Sequence, residues 1–243
     1  MISMVIVELL GAFALTFVAA ASRINNDNDF FAIALTYFMI ISSLTFAFRK
    51  VSGSHFNPAL TVSLIVTKQV SINKAILYII GQIAGSILGG LAIVAITNTS
   101  EDQIYKYYGE PMLHADEQSL GAFAEFVSIF ILVYVYASIL GDIRTPSHIY
   151  GFAVGGVYFA MVISMGFLSG GCLNFVTVLG PALFSGNLRD LLYYLISQML
   201  GGIIGGVFYT IFFKEQSADQ DFDESIQDKA MSSKLNRGVK IAS

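Results

Sequence analysis

Six long apolar runs and two short ones divide this chain. The long runs cover roughly residues 4–22, 30–48, 75–97, 120–140, 149–168 and 191–213. Each approaches the about 20 helical residues that cross a hydrocarbon core. The two short ones run from Asn57 to Thr67 and from Asn174 to about Ser185. They are too short to span and too apolar for ordinary loops; each offers about 11 residues, half a membrane thickness as helix. Asn57-Pro58 is a strong helix start, because Asn caps free backbone N–H groups and Pro at the first helical position loses none. Gly53, Gly170 and Gly171 precede the two asparagines and let an extended chain turn sharply into each half-helix.

The pattern occurs twice. Glu8-Leu-Leu-Gly-Ala-Phe returns as Glu125-Phe-Val-Ser-Ile-Phe, and His55-Phe56-Asn57 returns as Cys172-Leu173-Asn174, both at an offset of 117 residues. A Gln beside a glycine ladder also repeats, Gln82 with Gly81, Gly85 and Gly89, then Gln198 with Ser197, Gly201 and Gly205. Three crossings end on the opposite side of a bilayer, so the halves, about 4–97 and 120–213, are inverted repeats. Their two half-helices then meet N-terminus to N-terminus near the bilayer centre. The positive ends of both dipoles converge on Asn57 and Asn174, a water-sized polar site hostile to cations.

Composition removes the soluble alternatives. The 243 residues are 55% hydrophobic and 12% charged, with a mean hydropathy of +0.70, more apolar surface than a soluble domain of this size hides. The fold class is therefore an all-α membrane protein of six transmembrane helices plus two re-entrant half-helices. Arg49, Lys50, Lys68 and Lys74 flank the region between the second and third spans, and Lys214 follows the sixth. The loop 98–118 carries five acids against Lys106 alone. Basic loops stay cytoplasmic, which puts both termini inside and 98–118 outside or luminal. The sequon Asn98-Thr99-Ser100 on that outer loop agrees. The first span, lacking a basic leader and a cleavage site, is read as retained. Residues 1–213 form the membrane domain, and the polar stretch 214–243 reads as a disordered cytoplasmic tail.

Ser52-Gly-Ser-His-Phe-Asn-Pro-Ala-Leu-Thr61 resembles the first signature of the aquaporin, or major intrinsic protein, family. The repeated Glu, the Gln with its glycine ladder and Gly170-Gly-Cys-Leu-Asn174 match in order and spacing across 4–213. The resemblance implies a homotetramer with one pore per subunit, lined at its centre by Asn57, Pro58, Ala59, Asn174, Phe175 and Val176. The second motif departs from the family: Asn174-Phe175-Val176-Thr177 stands where Asn-Pro-Ala-Arg is usual. Counting from the asparagines, the outer constriction is expected at Tyr37, Val162, Gly171 and Thr177. That ring has one aromatic, no histidine and no fixed cation. It should be wider or more apolar than one with arginine, and a weaker barrier to cations. The alternative is that Phe175 or Val176 plugs the pore.

Ionisable groups inside spans are expensive, so Glu8 and Glu125 need a job. The resemblance implies that they hold backbone groups of the re-entrant loops, with Gln82 and Gln198 as structural partners; proton coupling is the competing role. His55 belongs on the cytoplasmic pore wall, with gating by protonation as its alternative. Cys172 lies beside the outer constriction, and its reach to the pore is open. A single cysteine excludes an intrachain disulfide and a cysteine-based metal site. No nucleophile–base pairing, metal cluster or phosphate loop is present, so neither an enzyme nor a cofactor is expected, and nucleic acid is not a partner. The leading function is a passive channel for water or small neutral solutes such as glycerol, in the plasma membrane or an intracellular (vacuolar) one. Val178, Ala182 and Tyr194-Leu195 leave water against glycerol open. A secondary transporter and a non-conducting membrane organiser remain as other classes.

Overall fold

The computed structural model describes residues 1–26, 29–97, 108–114, 118–141, 146 and 149–213. The sequon at Asn98 and the tail 214–243 lie outside them. Among the described residues eight helices follow in order: α1 Ile2–Asn26, α2 Phe30–Ser52, α3 Pro58–Val66, α4 Ile72–Thr97, α5 Gln118–Gly141, α6 Ile149–Ser169, α7 Phe175–Ser185 and α8 Leu191–Phe212. Six are long and apolar enough to cross a membrane, and α3 and α7 are the two half-helices. The spans extend past the apolar runs by up to four residues at an end, since a helix continues until a cap stops it. Asp29 starts α2 by accepting from the Phe31 and Ala32 N–H groups. Gly53, left-handed at φ 99°, ends it by donating to the Arg49 carbonyl.

Within each half the first and last helices pack together, α1 on α4 and α5 on α8, and α2 on α6 joins the halves. The half-helices cross over. The first, α3, packs on α8, and α7 packs on α4 and α1, so each is held by helices of the opposite repeat. Small residues permit this closeness: a Cβ added to Gly85 would strike the Leu9 carbonyl of α1, and one on Gly180 the Ser86 carbonyl of α4. The outward faces carry Ile6, Phe46, Ile80, Ile196 and Ile211, all exposed, as surfaces solvated by lipid require. The buried centre gathers Tyr37, Phe56, Leu60, Tyr158, Val162 and Leu173 from both halves.

Candidate pore site

The loops leading into α3 and α7 share one backbone. Gly53 and Gly170, Ser54 and Gly171, and Phe56 and Leu173 all hold positive φ, at 99° and 70°, 59° and 59°, and 49° and 50°. Three of these are not glycine, so the conformation is strained and must be held from outside. Glu8 holds the first loop. Its Oε1 accepts from Ser52 Oγ at 2.6 Å and from the His55 N–H at 3.0 Å. Its Oε2 accepts from the Phe56 N–H at 2.6 Å and Gln82 Nε2 at 2.7 Å. Glu125 repeats the arrangement in the second loop, accepting from Ser169 Oγ, the Cys172 and Leu173 N–H groups and Gln198 Nε2. The Tyr78 and Tyr194 hydroxyls complete it by donating to the Ser52 and Ser169 carbonyls.

Every partner of Glu8 donates, and the Ser52 oxygen also accepts from the Ser54 N–H. Those four contacts tie the carboxyl to two backbone N–H groups of the loop and to one side chain on either flank. Cys172 turns toward this network. Its thiol donates to Glu125 Oε2 at 3.3 Å, its sulfur accepts from Gln198 Nε2 at 3.0 Å, and the residue is wholly buried. Brief exposure to a mercurial should therefore leave solute flux unchanged in a vesicle assay. Rapid block, absent in Cys172→Ser, would place the thiol in the pore instead.

The asparagines meet. Asn57 Oδ1 caps α3 by accepting from the Ala59 and Leu60 N–H groups, and Asn174 Oδ1 caps α7 by accepting from that of Val176. Asn57 Nδ2 donates to the Leu173 carbonyl at 2.8 Å, and Asn174 Nδ2 to the Phe56 carbonyl at 2.8 Å. Each amide thus ties its half-helix to the loop before the other. Pro58 and Ala59 lie buried in the first turn of α3. His55 stands on the α3 side, with Nδ1 3.1 Å from Thr61 Oγ1 and its ring edge-on to Tyr78 and Tyr136.

The altered second motif keeps its helix through other contacts. The Val176 carbonyl accepts from Thr16 Oγ1 at 3.0 Å and from Ser86 Oγ. Ser86 Oγ in turn accepts from the Gly180 N–H at 2.9 Å, so a serine of α4 sits inside the hydrogen-bond ladder of α7. Phe175 packs with Leu113, Cys172, Val178 and Tyr194, apart from the cluster that holds Tyr37, Tyr158 and Val162.

Tyr37, Val162, Gly171 and Thr177 come together at the outer end. The Tyr37 hydroxyl donates to Thr177 Oγ1 at 3.2 Å, and Thr177 Oγ1 donates to the Asn174 carbonyl at 2.8 Å. A Cβ on Gly171 would lie 3.1 Å from Val162 Cα. Two residues join them that the sequence reading did not select. Tyr158 sits one turn before Val162 on α6, stacks on Tyr37 with ring centroids 5.7 Å apart, and accepts from Asn57 Nδ2 at 3.1 Å. Arg23, at the end of α1, donates from Nη2 to the Gly171 carbonyl at 3.0 Å. This cation, from a helix 148 residues away in sequence, stands against one of the four ring positions, whose own side chains carry no fixed charge. The only signal for Arg23 was a basic residue closing an apolar run, which reads as an ordinary flank.

The comparisons agree with this geometry. The chain is 26% identical over 204 residues to the aquaporin NIP3-1 of Arabidopsis thaliana, a match covering 81% of this chain and 63% of that protein, just under two thirds of its length. It is 28% identical over 198 residues to the glycerol uptake facilitator protein-like 6 of Lactiplantibacillus plantarum, covering 81% of this chain and 91% of that one. Its fold superposes on the aquaglyceroporin from Plasmodium falciparum with a TM-score of 0.77 at 20% identity, covering 89% of this chain and 98% of that chain. The family model described as Major intrinsic protein matches residues 1–209, and the chain, an integral multi-pass membrane protein, belongs to that family.

Proposed function

We propose that the protein is a passive channel for water and small neutral solutes such as glycerol. The observation that carries this reading is the pair of half-helices capped by Asn57 and Asn174, whose N-terminal ends converge inside the bundle. Two converging dipole ends set a repulsive potential for a cation, and a neutral solute passes by exchanging with the protein's own hydrogen bonds at the two amides. The site calls follow from it: Asn57, Pro58, Ala59, Asn174, Phe175 and Val176 at the centre, Tyr37, Val162, Gly171 and Thr177 at the outer ring, and His55 on the opposite wall. Glu8 and Glu125 are loop anchors, each carboxyl engaged with two backbone N–H groups and a serine hydroxyl, and Gln82 and Gln198 are the structural partners that donate to them. That favours a channel over a proton-coupled transporter.

The family's members are passive channels, so the chain is not an enzyme. Residues 1–213 act as one channel domain, both termini face the cytoplasm, and the assembly is a homotetramer. Labelling of cysteines introduced at the two termini of a Cys172→Ser background, and cross-linking in native membranes, test the last two points. The functional test is swelling of reconstituted vesicles under water and glycerol gradients in turn. Flux above protein-free vesicles, independent of proton or sodium gradients, is the expected result. One observation favours a second reading, a closed membrane organiser: Tyr158 takes the second Asn57 amide proton that a solute would otherwise meet. Flux equal to that of protein-free vesicles in both gradients would select it.

A further inference from the structure

Arg23 closes α1 and is 2% exposed, one of the largest fully buried side chains in the molecule. A guanidinium stays ionised at any working pH, so burial demands acceptors. Arg23 reaches two of the four outer-ring positions. Its Nη2 donates to the Gly171 carbonyl at 3.0 Å, and its Cζ lies 5.9 Å from the centre of the Tyr37 ring. The Tyr37 hydroxyl, in turn, bonds Thr177, the position where an arginine is missing.

We propose that Arg23 supplies the fixed positive charge of the outer constriction, delivered from the first helix of one repeat to the re-entrant loop of the other. The inference rests on the channel reading. Thr177 commits its short hydroxyl to the Asn174 carbonyl, and Arg23 brings a guanidinium from α1 to the Gly171 carbonyl of the same loop. The planar fork of arginine suits this task, with one N–H group on a backbone carbonyl and its face near an aromatic ring. Charge placed there acts in a narrow, poorly screened passage, and so repels protons and metal cations. The selective ring of this chain therefore has five members: Arg23, Tyr37, Val162, Gly171 and Thr177.

A purely structural role, stapling α1 to the loop, makes different predictions. Three fluxes are measured on reconstituted vesicles: water, glycerol, and protons driven by an imposed potassium diffusion potential. The unmodified protein should pass water while leaking protons no faster than protein-free vesicles. Arg23→Leu should still pass water, raise the proton leak by about tenfold, and raise the glycerol-to-water ratio, because both charge and bulk leave the ring. Arg23→Leu combined with Thr177→Arg should return the leak to the protein-free level, because it restores a charge from α7 without restoring the bond from Arg23 to the Gly171 carbonyl. Water flux with an unchanged proton leak in Arg23→Leu overturns the inference alone. So does a double variant that stays leaky. If Arg23→Leu does not insert, the double variant decides, and its failure to insert assigns Arg23 the structural role. A proton leak through the unmodified protein also overturns the inference. Absence of water flux in the unmodified protein overturns the channel reading, and the inference with it.

Discussion

Glu8→Leu should cost roughly 3–5 kcal/mol or more, the range seen when a buried, hydrogen-bonded charge is removed and its partners are left behind. The His55 and Phe56 N–H groups, the Ser52 hydroxyl and the Gln82 amide would all lose the same acceptor. Each buried donor left unpaired costs about 1–3 kcal/mol. Phe56 also holds a strained φ of 49°, which the Glu8 contact maintains. Released, the loop abandons the geometry that aims α3 at α7. Thermal unfolding in detergent should show the loss directly, with Glu125→Leu behaving alike because its contacts repeat those of Glu8. Glu8→Gln discriminates between roles. It keeps the size but offers one acceptor oxygen and adds an N–H pair facing donors, so an anchor predicts clear destabilisation. A proton carrier predicts a stable protein whose flux merely loses its pH dependence.

Tyr158→Phe is expected to raise water flux by up to about tenfold, the ratio that a net hydrogen-bond contribution of about 0.5–1.5 kcal/mol allows. In the structure both Asn57 amide protons are occupied, one by the Leu173 carbonyl and one by the Tyr158 hydroxyl. A solute passing the centre must displace the hydroxyl to reach the amide. Phenylalanine keeps the ring stacked on Tyr37 and frees the amide. Tyr158→Ala goes further: it removes the ring, which frees cross-section below the outer ring and should favour glycerol over water. Stopped-flow light scattering on vesicles measures both. If Tyr158→Phe and Tyr158→Ala both conduct at the unmodified rate, the tyrosine does not stand in the path, and the centre must be widened elsewhere.

The architecture was legible in the sequence because its signals are local and repeated. Run lengths set the spans, Asn57-Pro58 set a helix start, and the offset of 117 residues exposed the inverted halves. Matching positions in two repeats gave Glu8 and Glu125 one shared task, and the family resemblance, not the pattern, implied that the task is holding the two loops. Phe175 and Val176 were harder. A bulkier residue in a motif suggests a plug, yet packing carries Phe175 into a separate cluster with Tyr194, and Val176 is secured through its carbonyl by Thr16 and Ser86. No local rule links a threonine of α1 and a serine of α4 to a carbonyl in α7.

What the chain determined by itself was the solvent, the number of crossings, the inversion and the two asparagines, all set by hydrophobic run length and helix-capping chemistry. What only the tertiary structure decided was which side chains meet around Gly171 and Thr177. The absence of arginine at position 177 is visible in the sequence, but its electrostatic consequence is not. The field at a point in space depends on every charge that folding brings there. Arg23 arrives from a helix end where basic residues are commonplace, across the interface between the two repeats, and only the packing of α1 against the second re-entrant loop puts its guanidinium on the Gly171 carbonyl.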